Sequence, residues 1–114
     1  MYSDLTPDIE NPRRIRSFVK RAGRMTPSQE HALEHYWPRY GLTLDKGPLD
    51  FSEIFGNDHP VIMEIGFGMG DSLSTMAATM PENNYIGIEV HRPGVGRLLN
   101  NLATQELNNV RVFC

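Results

Sequence analysis

Residues 60–90 read PVIMEIGFGMGDSLSTMAATMPENNYIGIEV. The apolar, largely β-branched run over 61–65 has the length and composition of a buried strand. A glycine-rich turn, Gly66-Phe67-Gly68-Met69-Gly70, follows it. Over 71–80, Leu73, Met76, Ala77 and Met80 recur at helical spacing, and Pro81 closes the pattern. A second strand is expected over 84–90. A second helix is expected over 93–107, with Val95, Leu98, Leu99, Leu102 and Ala103 turned inward. Residues 110–114 begin a third strand. Strand, helix, strand, helix, strand is the order of an open parallel α/β sheet. Right-handed crossovers then place both helices on one face. Three parallel strands with one covered face are an incomplete sheet, so a domain truncated after its third strand is expected.

The glycine turn is where ligand chemistry is expected. Loops that follow the strands of a parallel sheet lie at its carboxyl edge, where ligands bind. Glycines there allow a tight turn and let a ligand approach bare backbone. The next helix adds unpaired N–H groups and a positive dipole end. Glu89, at the end of the second strand, can accept both hydroxyls of a ribose. Together these point to an adenosine-containing cofactor; a plain βα turn of a doubly wound fold is the bland alternative. The dinucleotide fingerprint is Gly-x-Gly-x-x-Gly. Here the spacing is Gly66-x-Gly68-x-Gly70, with Glu64 two residues before the first glycine. A carboxylate beside the loop repels a pyrophosphate and suits a cation. S-adenosylmethionine has no phosphate and carries an ammonium and a sulfonium. Spacing and charge therefore favour it over a nicotinamide dinucleotide, and a nicotinamide-dependent oxidoreductase is the enzyme alternative.

The remaining composition bounds the class. The chain has 114 residues, 39% of them apolar and 22% charged, which excludes wholesale disorder, collagen and coiled coil. No run approaches the roughly 20 apolar residues of a membrane helix. The polar start, with Asp4, Asp8 and Glu10, lacks a signal peptide's pattern, so a cytoplasmic protein is expected. The single cysteine, Cys114, excludes an internal disulfide and a multi-cysteine zinc site; it is read as a buried strand residue, and no metal is expected.

The formal charge of −3 is unevenly spread. Residues 1–12 carry −3, residues 13–25 carry +6, and residues 26–114 carry −6. The cations are Arg13, Arg14, Arg16, Lys20, Arg21 and Arg24, with Ile15, Phe18 and Val19 among them. Such a segment suits a nucleic-acid backbone; a solvated surface, or a tail packed on the acidic body, is the alternative. Three regions follow: a polar tail and basic arm (1–25), a helix with a connecting loop (26–59), and the βα portion (60–114). The helix is expected over 26–37, with Thr26 as N-cap, Pro27 in the first turn and Gln29 completing a capping box. Leu33, Tyr36 and Trp37 form a stripe that docks on the domain, and Pro38 and Gly41 end the helix. A short helix is expected over 51–55 within the 41–59 loop.

The pattern Glu-x-Gly-x-Gly-x-Gly followed by an acid resembles the class I S-adenosylmethionine-dependent methyltransferases. More narrowly, MEIGFGMGDSLSTMA (63–77) followed by NNYIGIEVHRPGVGRLL (83–99) is similar to the bacterial tRNA (guanine-N7-)-methyltransferase family. The opening RRIRSFVKRAGRMTPSQEHALEHYWPRYGL (13–42) resembles that family too. The resemblance spans residues 12–114, about the first half of a typical member. It implies a Rossmann-like fold and methyl transfer from S-adenosylmethionine to N7 of a guanosine in the tRNA variable loop. Glu64, Gly66, Gly68 and Gly70 would line the cofactor's amino-acid and ribose end, and Glu89 would hold the ribose hydroxyls. Arg13, Arg14, Arg16, Lys20, Arg21 and Arg24 are the candidate tRNA contacts. His91 would orient its loop, and Arg92 would touch RNA or solvent. Met69 would touch the cofactor or fill space. Two family acids, one after the third strand and one in an Asp-Pro-Trp segment taken as catalytic, have no counterpart in these residues. The resemblance thus places no catalytic residue in this chain; the sequence does not fix the oligomeric state, and a monomer is the expectation for the full-length enzyme. A cofactor- or RNA-binding module without catalysis is the non-enzyme alternative.

Overall fold

The computed structural model describes residues 24–45 and 47–114. Its centre is a three-stranded parallel sheet, in the order β1 (Val61–Ile65), β2 (Asn84–Ile88), β3 (Val110–Phe113). Helix α1 is Pro27–His35, α2 Trp37–Tyr40, α3 Phe51–Phe55, α4 Asp71–Thr79 and α5 Arg92–Thr104. The register pairs Ile62 with Tyr85 and Glu64 with Gly87, and continues Tyr85 to Val110 and Gly87 to Val112. Paired residues share a face, so these face one side of the sheet. On that side Tyr85, Val110 and Val112 join Leu73 and Ala77 of α4, and Val95, Leu98, Leu99 and Leu102 of α5, in one buried cluster. Both crossover helices therefore cover the same face. Among the described residues the architecture is a Rossmann-like α/β arrangement with three strands.

The opposite face is covered unevenly. Arg111 of β3 places its guanidinium 5.0 Å from the Phe55 ring centre and donates to the Ile54 carbonyl, tying α3 to the sheet. On β1, Met63 is 51% and Ile65 75% exposed. The two edges also differ. β1 forms one edge of the sheet. Along β3, Gly41 forms a parallel bridge with Val112, and the Leu42 N–H donates to the Val112 carbonyl at 2.8 Å. That short pairing protects backbone that would otherwise invite another strand.

The N-terminal helices are placed by their caps and by α5. Thr26 Oγ1 accepts from the Gln29 N–H at 3.1 Å, and Gln29 Oε1 accepts from the Thr26 N–H at 3.0 Å. This reciprocal capping box satisfies two donors that a helix start leaves orphaned. Thr26→Ala is expected to cost about 1 kcal/mol, read as a lowered urea midpoint at unchanged slope. Helix α1 lies across α5, where Asn100 donates to Ser28 Oγ at 3.0 Å. A Cβ on Gly96 would come within 2.7 Å of the Gln29 carbonyl oxygen, so the crossing needs glycine there. The expected stripe of Leu33, Tyr36 and Trp37 packs at the border of the core, whereas Ala32 and Tyr40 are fully buried. The Tyr40 hydroxyl donates to the Leu107 carbonyl at 2.8 Å.

Several boundaries differ from the sequence expectation, each for a local reason. Helix α1 stops at His35, and Pro38 sits in the first turn of α2. A proline lacks the N–H of a helix interior but is tolerated where that N–H has no partner. Helix α5 ends at Thr104, not at 107. There the Leu107 N–H donates to the Leu102 carbonyl and the Glu106 N–H to that of Ala103, with Glu106 at φ 55°. This is a Schellman stop built on a glutamate in the conformation that usually takes glycine. Cys114 is exposed, which corrects its reading as a buried residue. Partial burial of its sulfur still raises the thiol pKa, an effect that Arg92 only partly opposes.

Candidate functional site

The loop 66–70 leaves β1 at the carboxyl edge of the sheet. Gly66, Gly68 and Gly70 have φ of 75°, 64° and 81°, left-handed values that side chains other than glycine resist. The loop is pinned at both ends. The Gly66 N–H donates to the Ile88 carbonyl at 2.7 Å, and the Gly70 N–H to that of Phe67 at 3.0 Å. Between them Phe67 turns inward and is 8% exposed. A Cβ on Gly87 would lie 2.8 Å from the Phe67 ring and 2.7 Å from Leu73, so the bare strand backbone at Gly87 makes the seat for that ring. Gly70 is the N-cap of α4, and no side chain caps that helix. Its first N–H groups are thus available near the loop.

The second strand's exit completes the site. Glu89 Oε1 accepts from the Gly68 N–H at 2.6 Å. Its Oε2 accepts from the Val90 N–H at 3.1 Å and the His91 N–H at 3.0 Å. The Glu89 N–H still donates to the Phe113 carbonyl at 3.1 Å, but the next two amides turn to the carboxylate, and β2 ends at Ile88, not at 90. His91 then caps α5, its carbonyl accepting from the Gly94 N–H at 3.0 Å. Here α5 comes closest to the loop: a Cβ on Gly94 would stand 1.8 Å from the Gly68 carbonyl oxygen.

Of the site residues expected from sequence, the structure gathers Gly66, Gly68, Gly70 and Glu89 around one loop. Glu64 sits on β1, half-buried, in register with Gly87, and its side chain makes no hydrogen bond or ion pair among the described residues. Met69 is 38% exposed on the loop, and Arg92 is exposed. Arg24 is exposed ahead of α1. Arg13, Arg14, Arg16, Lys20 and Arg21 lie outside the described residues. Sequence reading gives neither Phe67 nor Gly94 a part in the site. The available signal is a bulky aromatic inside a glycine run, facing a glycine in the neighbouring strand.

A ligand has room here. A Cβ built on Gly66 or Gly68 would meet nothing within 4 Å, so the loop's outer side is open. Residues 58–114 match a family described as "Putative methyltransferase". The chain belongs to that methyltransferase family. Membership of a methyltransferase family implies a methyl donor of the S-adenosylmethionine type, and an open glycine loop with a carboxylate beside it suits such a cationic, phosphate-free group. This methyltransferase chain is also 60% identical over 104 residues to a tRNA (guanine-N(7)-)-methyltransferase of Hydrogenovibrio crunogenus, covering 91% of the chain and 43% of that relative. It is 58% identical over 103 residues to the enzyme of that name from Stutzerimonas stutzeri, and 55% identical over 102 residues to that from Salmonella choleraesuis. Each of these covers 90% of the chain and 43% of the relative. The chain therefore spans less than half the length of the curated relatives it matches.

Proposed function

We propose that this chain carries the cofactor-binding portion of an S-adenosylmethionine-dependent tRNA (guanine-N7-)-methyltransferase acting in the cytoplasm. The observation that carries this reading is the loop geometry: three left-handed glycines, open on their outer side, joined to Glu89 at the end of β2. The names of the 55–60% identical relatives supply the substrate class. No helix among the described residues is long and apolar enough to cross a membrane, which is compatible with that location.

In this reading Gly66, Gly68 and Gly70 present backbone to the cofactor, Glu64 faces its cationic amino-acid end, and Glu89 accepts from its ribose. S-adenosylmethionine supplies a methyl group activated by a sulfonium. The acceptor, guanine N7, has an in-plane lone pair and no proton, so the chain needs no general base. What its residues do is align the partners and exclude water. The basic segment 13–24 provides backbone contacts for tRNA, a role argued from charge alone. A-form RNA narrows the groove in which N7 lies, so the acceptor must be offered by a loop or a distorted region.

The test is a chimera in which these 114 residues replace the matching portion of the Hydrogenovibrio crunogenus relative. With labelled S-adenosylmethionine it is expected to methylate a tRNA transcript, and to leave a transcript containing 7-deazaguanosine unlabelled. A folded chimera that labels neither transcript, or both, refutes the assignment.

A further inference from the structure

Glu89 makes contacts within the chain that recognition of a ribose does not require. A carboxylate offers about four acceptor positions. Three are taken by backbone donors: Gly68 on one oxygen, Val90 and His91 on the other. The Gly68 contact, at 2.6 Å, is the shortest of the three and crosses 21 residues of chain. The other two are local and lie between the end of β2 and the start of α5. Both loops at this edge therefore converge on one charged side chain. No other described side chain hydrogen-bonds to the glycine loop's backbone between Gly66 and Met69. The loop itself is poorly suited to hold its shape, because three of its five residues are glycines in left-handed conformations. Glycine loses more backbone freedom on ordering than any other residue. Hydrogen bonds to an ionised acceptor are the strong ones.

We infer that Glu89 is a positioning residue that latches the glycine loop to the start of α5 through its own carboxylate, independently of any contact with a cofactor. The inference rests on the cofactor-site reading only for its consequence: Glu89 supports affinity through loop shape as well as through contact with a ribose. Gly94 works with it from below, since its bare Cα lets the Gly68 carbonyl approach while the carboxylate holds the Gly68 N–H.

The test uses amide hydrogen exchange on the chain without ligand, comparing wild type, Glu89→Ala and Glu89→Gln. In Glu89→Ala, exchange at Gly68, Val90 and His91 is expected to accelerate about tenfold or more, while Tyr85, bonded to the Asn109 carbonyl within the sheet, stays protected. Glutamine has one acceptor oxygen, so Glu89→Gln is expected to release Gly68 or the Val90–His91 pair, but not both. Exchange at Gly68 within twofold of wild type in Glu89→Ala overturns the latch. Should that variant fail to fold, wild-type exchange at all three amides in Glu89→Gln overturns it instead.

A binding arm separates the latch from a hydroxyl contact. S-adenosylhomocysteine and its 2′,3′-dideoxy analogue are titrated into wild type and Glu89→Ala. The latch predicts weaker binding of both ligands in the variant, whereas loss confined to the diol form contradicts it. If wild type binds neither ligand, the cofactor reading fails, and the ligand-free exchange result still decides the latch.

Discussion

Gly94→Ala is expected to lower the stability of the chain by about 3 kcal/mol, the upper end for overpacking a close contact, and to abolish binding of S-adenosylhomocysteine. The added methyl would sit 1.8 Å from the Gly68 carbonyl oxygen, which is backbone and cannot swing aside as a side chain would. Either α5 or the glycine loop must move, and both converge on Glu89. The sign is diagnostic. Gly94 lies in the first turn of α5, where propensity alone makes alanine better than glycine by up to about 1 kcal/mol. A raised urea midpoint with unchanged binding would show that the approach of helix to loop does not shape the site.

The second large effect is expected at Tyr85. Its side chain is fully buried on the helix-covered face of β2, and its hydroxyl lies 3.3 Å from the Met76 carbonyl and 3.2 Å from that of Met80. It therefore fills the core and also closes the end of α4, where the last carbonyls lack helical partners. Tyr85→Ala is expected to cost about 3–5 kcal/mol, as for other large-to-small core changes. Tyr85→Phe keeps the ring and is expected to cost about 1 kcal/mol. Urea titrations of the pair separate packing from capping. Equal losses would show that the hydroxyl, not the ring, holds the strand to α4.

How much of this was legible in the sequence follows from the range of the interactions. The capping box at Thr26 and Gln29, the strand 61–65 and the short helix 51–55 are local features, and they stand as expected. The helix-covered face was also legible, because Leu73, Ala77, Val95, Leu98, Leu99 and Leu102 repeat at helical spacing. The misjudged ends depend on unusual partners. Glu106 adopts a turn that glycine normally marks, and the Val90 N–H, at the end of the expected strand, donates to the Glu89 carboxylate. The site divides in the same way. Gly66, Gly68, Gly70 and Glu89 could be picked out by spacing along the chain. The seat of Phe67 against Gly87, and that of Gly68 against Gly94, could not, because each joins residues that meet only when the sheet forms.

The central claim is that the loop between β1 and α4, closed by Glu89, receives a phosphate-free adenosine cofactor. Calorimetric titration of the folded chain with S-adenosylhomocysteine, and separately with NAD, tests it most directly. Saturable binding of one S-adenosylhomocysteine per chain, with no heat from NAD, is the predicted result. Saturable binding of NAD, or a folded chain that takes up no S-adenosylhomocysteine, would contradict it.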